Sequence, residues 1–264
     1  MLIDASRRSA SILRKIEWID THAHLNFNIY KEDGSKVLQR SLDNGVWMIN
    51  VGSQYSTSQR AVEMAGKYET GVFAAIGLHP IHSGEEFDRA KYKELAKSNK
   101  VVAIGEIGLD YKLEYVLFRE KQKQVFLKQL DLAEELDLPV IIHCRMAHED
   151  LISELKARGN GLRGVIHCFT GTWTQAQKYM EMGFCLGING IIFKMDLEEV
   201  IKKAPLDKIL LETDCPYLTP KPMEGRNEPS YVKYVAEKIA KIKGLSYKEI
   251  AKTTTQNAKL LFRI

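Results

Sequence analysis

The sequence predicts a single-domain α/β protein of the (β/α)8 (TIM) barrel class, with its active site at the carboxyl ends of the strands. Eight short apolar runs alternate with amphipathic stretches along the chain. Most of these runs are continuously apolar, as expected for parallel strands covered on both faces. Residues of types that bind metals follow five of the runs, and only a closed barrel would bring such scattered positions together. A length of 264 residues, 45% of them hydrophobic, suits one barrel domain.

The eight strands are predicted from runs rich in aliphatic and β-branched residues. They cover residues 17–20, 46–51, 72–78, 101–107, 138–143, 163–169, 184–188 and 208–213. A doubly wound open sheet is the alternative. That fold would gather its ligands at one switch point rather than after five strands.

The helices are predicted from apolar residues that recur at a period of 3.6. They cover residues 58–68, 92–98, 114–136, 149–158, 174–182, 197–204, 230–242 and 246–262. Gly244 is placed to end the seventh helix, and Ser246 with Glu249 forms the capping box that starts the last one.

Residues 1–17 are basic and rather rich in serine, and we interpret them as an N-terminal arm before the barrel domain of residues 18–264. No apolar run approaches the length of a membrane span. Four cysteines without a C-x-x-C pair favour a reducing compartment, which we expect to be the cytoplasm. The net charge of +4 is compatible with an anionic substrate. We expect a monomer or a weak oligomer.

Six residues that can bind metal form the candidate site. They are His22, His24, Glu106, His143, His167 and Asp214. Residues two apart in a strand share a face, so His22 and His24 point to one side, and Asp20 on that side could orient one of them from behind. A carboxylate as deep in an apolar run as Glu106 is costly to bury unless it is paired or binds metal.

Glu212 and Asp214 are also two residues apart, so both point into the barrel. Asp214 would lie at the mouth of the barrel, where the carboxyl ends of the strands open to solvent, and Glu212 one layer of side chains deeper. Two carboxylates aimed into a barrel repel each other unless cations neutralise them. Four histidines and these acids exceed the three protein ligands of one catalytic zinc, which suggests two ions bridged by Glu106. Zinc, magnesium and manganese are not distinguished by this ligand set.

The four cysteines are interpreted as small core residues rather than ligands. They are Cys144, Cys168, Cys185 and Cys215. Cys144 and Cys168 each follow a ligand histidine, so strand alternation predicts that both face the helices.

Seven ordered blocks resemble the TatD-type metal-dependent DNases of the amidohydrolase-like superfamily, from Trp18 to about Phe262. The blocks are IDTHAHLNF, AIGLHP, AIGEIGLDY, LPVIIHCR, GVIHCFTGT, ILLETDCPYLTP with RNEPSYV, and TTTQNAKLLF. The resemblance implies a barrel hydrolase that cleaves DNA phosphodiester bonds with two divalent ions held by the six candidate ligands. Asn26 stands where many relatives carry Asp. Glu106, where other amidohydrolases use lysine, weighs against a urease- or dihydroorotase-like enzyme.

Candidate catalytic roles fall on residues at the predicted mouth. Asp214 would orient or deprotonate the attacking water, with Glu212 as an alternative base or a residue behind the ligands. The family pattern suggests that His79 contacts a phosphate or protonates a leaving group, the alternative being a packed loop histidine. Arg145 and Arg226 would bind phosphate, although surface salt bridges explain them equally well.

Four further side chains are candidates either for contacts with the bases or for residues without a role at the site. His82 and His148 are expected to be exposed, and Trp173 and Tyr217 either stack on bases or pack in the core.

The function that we predict is a DNase, exonucleolytic and acting on single strands or strand ends. The same metal centre acting on another phosphoester, or on an ester such as a misacylated tRNA, is the first alternative. A non-enzymatic binding barrel is the second, and the intact ligand set argues against it.

Overall fold

A computed structural model describes residues 16–112, 114–159 and 161–264. Its centre is an eight-stranded parallel sheet in which each strand pairs with the next in the sequence. The strands are β1 (Trp18–Ala23), β2 (Val46–Val51), β3 (Val72–Ile76), β4 (Val101–Asp110), β5 (Val140–Arg145), β6 (Gly164–Ile166), β7 (Cys185–Ile188) and β8 (Ile209–Leu211). The prediction of a TIM barrel is confirmed.

The barrel closes through contacts between β1 and the chain that follows β8. The His24 amide donates to the Cys215 carbonyl at 2.9 Å, and the Asp214 amide donates to the His22 carbonyl at 2.8 Å. Asp20, fully buried, accepts from the backbone N–H groups of both His22 and Thr213 at 3.1 and 2.9 Å. Asp20 therefore fastens the seam of the barrel and the backbone of a ligand, rather than a ligand ring as expected.

Nine helices surround the strands in the described part of the chain. They are α1 (Gly34–Asp43), α2 (Tyr55–Ala65), α3 (Arg89–Leu95), α4 (Arg119–Glu135), α5 (His148–Arg158), α6 (Trp173–Glu181), α7 (Glu198–Lys203), α8 (Val232–Lys243) and α9 (Tyr247–Phe262). The sequence analysis missed α1 and began α4 five residues too early. Ser246 caps α9 by accepting from the Glu249 amide, and Gly244 ends α8 with a φ of 65°. No helix among these residues is long and apolar enough to cross a membrane.

Strand alternation divides the apolar residues into two layers. One side of the strands packs against the helices, and the other fills the barrel interior with residues such as Ile141, Val165 and Leu210. The end of α9, with Phe262, and Ile16 close the bottom of this interior. Residues two positions further along the strands then form the next layer, at the mouth.

β1, β4 and β5 extend beyond their predicted ends, so His22, expected after its strand, lies within β1. Glu106 and His143 lie within β4 and β5, as the predicted ranges 101–107 and 138–143 had placed them. β6 instead ends at Ile166, so His167, which the range 163–169 placed within the strand, follows it. Of the predicted N-terminal arm, residues 1–15 lie outside the described residues.

Candidate metal centre

The six predicted ligands converge at the mouth, with Glu106 in the middle. Glu106 Oε2 lies 3.3 Å from His22 Nε2 and 3.9 Å from His24 Nε2. Its other oxygen, Oε1, lies 2.9 Å from His143 Nδ1 and 3.9 Å from His167 Nε2. Oε1 also lies 3.3 Å from His79 Nε2, so each carboxylate oxygen of Glu106 faces a different set of imidazoles.

Asp214 closes the cluster from the side of β8. Its Oδ1 lies 3.4 Å from His24 Nε2, 3.9 Å from His22 Nε2 and 3.8 Å from His167 Nε2. The residue has a φ of 57°, in the left-handed region that Asn and Asp tolerate better than most residues. Its side chain is 15% exposed, so it is the ligand carboxylate with more access to solvent.

Burial and neighbouring charges shift the pKa values of this cluster. Burial would raise the pKa of Glu106, but His79, His22 and His143 hold it well below its usual range. Burial and the neighbouring His167 lower the pKa of His22 to about 4. Burial also disfavours the charged form of His167, yet the charge of Glu212 raises its pKa to about 10. Glu106 therefore stays ionised beside imidazoles that differ in basicity.

The nitrogen and oxygen donors present fit divalent cations. His22 Nε2 and His24 Nε2 lie 3.1 Å apart, with carboxylate oxygens of Glu106 and Asp214 within 4 Å of both. His22, His24 and Glu106 form one group of potential ligand atoms within 4.8 Å of one another, and His79, Glu106 and His143 form another. Such convergence of lone pairs and negative charge in a buried site is satisfied by bound cations.

Three of the ligand histidines have a partner on the ring nitrogen that faces away from the cluster. His24 Nδ1 lies 2.9 Å from the Val51 carbonyl. His143 Nε2 lies 3.1 Å from Asp110 Oδ2, and His167 Nδ1 lies 2.9 Å from Glu212 Oε1, the last pair without the alignment of a hydrogen bond. Carboxylates in such positions fix the ring and raise its basicity as a ligand.

Asp110 contacts the candidate ligand His143 but was not among the predicted site residues. It is 2% exposed and belongs to β4, four residues after Glu106. Its Oδ1 accepts from the Lys112 amide at 3.0 Å, which leaves Oδ2 for His143. The second carboxylate of the segment GEIGLD was the available signal.

We expect Asp110→Asn to weaken divalent-metal affinity roughly 10- to 100-fold, the usual effect of losing a partner behind a ligand. The asparagine amide would donate to His143 Nε2, which would place the ring proton on the nitrogen that faces Glu106. Competition with a chromophoric chelator measures the affinity. Asp150→Asn, which removes a carboxylate from a Tyr111 and Lys123 pair instead, is the matched control. Equal affinity for both variants would exclude this role of Asp110.

Glu212 lies behind His167 and is fully buried. Its Oε1 accepts from the Cys168 amide at 2.7 Å and from Asn189 Nδ2 at 3.0 Å. The deeper position predicted for Glu212 matches this placement. A carboxylate that does not line the cavity supports positioning of His167 rather than the alternative role of base.

Gly187 on β7 makes room for the Glu212 carboxylate. A Cβ at this position would lie 2.3 Å from Glu212 Oε2 and 2.8 Å from its Cδ. We expect Gly187→Ala to destabilise the fold by roughly 1–3 kcal/mol, as overpacking usually does, and to weaken metal binding by displacing Glu212. Urea unfolding and metal titration measure the two effects. Gly84→Ala, where a Cβ meets no atom within 4 Å, should change neither.

His79 approaches the cluster from the loop after β3. Its Nε2 lies 3.3 Å from Glu106 Oε1, and its Nδ1 accepts from the Ile81 amide at 3.2 Å. An Nδ1 that accepts a hydrogen bond leaves the proton of the neutral ring on Nε2. His79 is thus arranged as a hydrogen-bond donor to the centre of the site.

The centre opens into a cavity of about 680 Å³. Arg145, exposed, lines it and has no ion pair among the described residues. Arg226 does not line it, because its guanidinium donates to Asp33 and to the Ile29 carbonyl and lies over the Tyr30 ring. The structure thus brings only one of the two predicted phosphate-binding arginines to the cavity.

Cys168 corrects the expectation that all four cysteines point away from the site. β6 ends at Ile166, and Cys168 has a φ of 44°, so strand alternation no longer applies and Cys168 lines the cavity. Cys185 and Cys215 are buried as expected. The buried Cys144 thiol packs toward the helices, where it lies 3.9 Å from the Tyr179 hydroxyl.

Two histidines expected to be exposed are half-buried. His148 Nδ1 lies 3.0 Å from the Tyr179 hydroxyl, because α5 and α6 pack together at this point. The side chain of His82 is 30% exposed and lines the cavity. Tyr217 also lines the cavity, whereas Trp173 packs at the edge of the core with Lys203 over its ring.

Comparisons with known proteins identify the family of the whole chain. The family model of TatD related DNases matches residues 19–263. An uncharacterized metal-dependent hydrolase, YabD of Bacillus subtilis, is 47% identical over 253 residues, covering 93% of this chain and 98% of its own. The 3'-5' ssDNA/RNA exonuclease TatD of Escherichia coli is 35% identical, covering 93% and 98%. The crystal structure of YJJV, a TatD homolog from E. coli, superposes with a TM-score of 0.87 at 32% identity, covering 94% and 98%. The chain therefore belongs to the TatD-related DNase family of metal-dependent hydrolases.

Proposed function

We propose that this protein is a two-metal exonuclease that removes nucleotides from the ends of single-stranded DNA. Its family makes it a hydrolase of ester bonds. The observation that carries the proposal of two ions is the arrangement of Glu106, whose two oxygens face separate sets of imidazoles: Oε2 faces His22 and His24, and Oε1 faces His143, His79 and His167. His22, His24 and Asp214 would hold one ion, and His143 with His167 the other, with Glu106 shared between them.

The protein's own residues supply positioning and proton transfer. Divalent ions bound at the centre supply Lewis-acid activation of the phosphoryl group and of water. Asp214 lies at the cavity wall as an ionised carboxylate, suited to accept the proton of an attacking water. The Nε2 proton of His79 is directed at the same place and suits a phosphoryl or leaving-group oxygen. Arg145, which has no carboxylate partner among the described residues, offers its guanidinium to a flanking phosphate.

The surface around the mouth favours a substrate with accessible bases. Seven large hydrophobic side chains exposed in the described residues lie on loops that follow strands, while Leu260 is on α9. The seven are Ile29, Ile81, Leu117, Phe118, Met146, Met195 and Tyr217. Unpaired bases present apolar faces that such side chains contact, whereas duplex DNA presents mainly phosphates. This supports the preference for single strands, and an E. coli relative is named as an ssDNA/RNA exonuclease.

The test follows oligonucleotides labelled at the 5' or the 3' end, single-stranded or duplex, with magnesium, manganese or zinc. The proposal expects metal-dependent release of mononucleotides from one end of the single strand, with no activity in a chelator. RNA, bis(p-nitrophenyl) phosphate and an aminoacyl-tRNA ester are assayed alongside. Turnover of the aminoacyl ester or the generic diester without cleavage of any nucleic acid would contradict the proposal.

A location in the cytoplasm belongs to the same proposal. All four cysteines are free thiols, as is usual in a reducing compartment.

A further inference from the structure

A second cavity of about 340 Å³ adjoins the metal centre and carries the inference. It shares four wall residues with the catalytic cavity, namely Phe27, Ser53, His82 and Tyr217. Phe27 also stacks on the ring of the ligand His24, with ring centroids 4.3 Å apart. The two cavities therefore adjoin each other beside the metal centre.

Tyr217 stands on the boundary between the two cavities. It is 55% exposed, and its hydroxyl forms no hydrogen bond with the described residues. Its ring centroid is 6.5 Å from that of His24. An exposed aromatic face this close to the metal ligands is suited to stack on a base next to the reacting phosphate.

Arg60, on α2, lines the second cavity and is unusual among the arginines. Six arginines form ion pairs with carboxylates: Arg40, Arg89, Arg158, Arg163, Arg226 and Arg263. Within the described residues, Arg60, Arg119 and Arg145 have no such partner, and each lines a different cavity at the mouth. Arg60 donates only to Asn28 Oδ1, at 3.0 Å, and its buried Nε has no partner among these residues. Its charge is therefore available to an anionic ligand.

We propose that the second cavity is a subsite for the nucleotide next to the one being released, with its base on Tyr217 and its phosphate at Arg60. The catalytic cavity, twice as large, would take the terminal nucleotide. The strand would then leave past Ile29, which lines the second cavity and is 57% exposed. This inference rests on the proposed exonuclease function. It identifies the penultimate nucleotide as the part of the substrate that gives the preference for single strands over duplex DNA.

The test is a double-mutant cycle that combines one change in the protein with one change in the substrate. One hexathymidylate is intact and the other carries an abasic nucleotide at the penultimate position of the cleaved end. Each is assayed with the wild type, Tyr217→Ala and Tyr217→Phe. We expect the abasic change to lower kcat/KM of the wild type roughly 5- to 150-fold, the range for loss of one base–aromatic stack. Tyr217→Ala should show a similar loss on the intact substrate and little further loss on the abasic one, while Tyr217→Phe should behave like the wild type. Arg60→Gln should weaken the binding of both substrates to the same extent and reduce the salt dependence of KM.

The possible outcomes distinguish failure of the proposed subsite from failure of the proposed exonuclease function. Independent, multiplying losses for Tyr217→Ala and the abasic change would overturn the subsite, as would no loss for either, while cleavage by the wild type would leave the exonuclease intact. A wild type that cleaves no oligonucleotide would overturn both. Metal content measured on every variant confirms that the centre is unchanged.

Discussion

The Glu106→Gln variant is expected to bind at most one divalent ion per chain and to lose at least about 10³-fold in kcat/KM. Metal ions contribute several kcal/mol of transition-state stabilisation, and each 1.36 kcal/mol is tenfold in rate. Glutamine fills the same volume, but it removes the charge that both sets of imidazoles face and places an amide donor among them. Elemental analysis and steady-state kinetics measure the two effects.

Glu224→Gln is the matched control for this change. Glu224 is exposed on the loop after β8, so the same substitution there leaves the centre untouched. Circular dichroism and the melting temperature establish that the Glu106 variant is folded. A folded Glu106→Gln protein with two ions and nearly full activity would refute the bridging role.

The Asp214→Asn variant is expected to keep its metal and lose roughly 10²- to 10⁴-fold in kcat, the usual range for removal of a general base. Asparagine retains an oxygen ligand and tolerates the φ of 57° at this position, so the backbone should hold its shape. The amide can no longer accept a proton. Single-turnover rates at saturating metal isolate this effect from binding.

The Asp196→Asn variant controls for loss of a negative charge at the mouth of the barrel. Asp196 is exposed on the loop after β7. Asparagine there can still accept from the Glu198 amide, as Asp196 Oδ1 does at 2.9 Å. If Asp214→Asn retained the wild-type single-turnover rate, another residue would have to take the proton from water.

Strand alternation explains why much of the site was predictable. His143, His167 and Glu212 each lie two residues after an interior residue of the barrel, so a period of two places them in the layer above. The candidate metal ligands could be predicted because they belong to that layer and because a buried charge is costly unless it is paired or binds metal. Only the resemblance to a known family indicated that the substrate is DNA.

The errors arose where this periodicity ends or was misjudged. β4 was predicted to stop before Gly108, a glycine with a φ of 140°, but the strand continues to Asp110 and carries a second carboxylate. Loops have no period, so the sequence left open whether Arg226 reaches the cavity or forms a salt bridge, and the structure pairs it with Asp33. α1 was missed because few apolar residues, chiefly Val37 and Leu38, mark its buried face.

An anomalous-difference map from crystals of the protein loaded with manganese tests directly whether Glu106 is shared by two ions. We expect two peaks roughly 3.5–4 Å apart, the usual separation in two-metal sites. One should lie beside Glu106 Oε2 with His22 and His24, and the other beside Glu106 Oε1 with His143 and His167. A single peak at saturating manganese, or two peaks that do not share Glu106, would contradict the bridging role of Glu106.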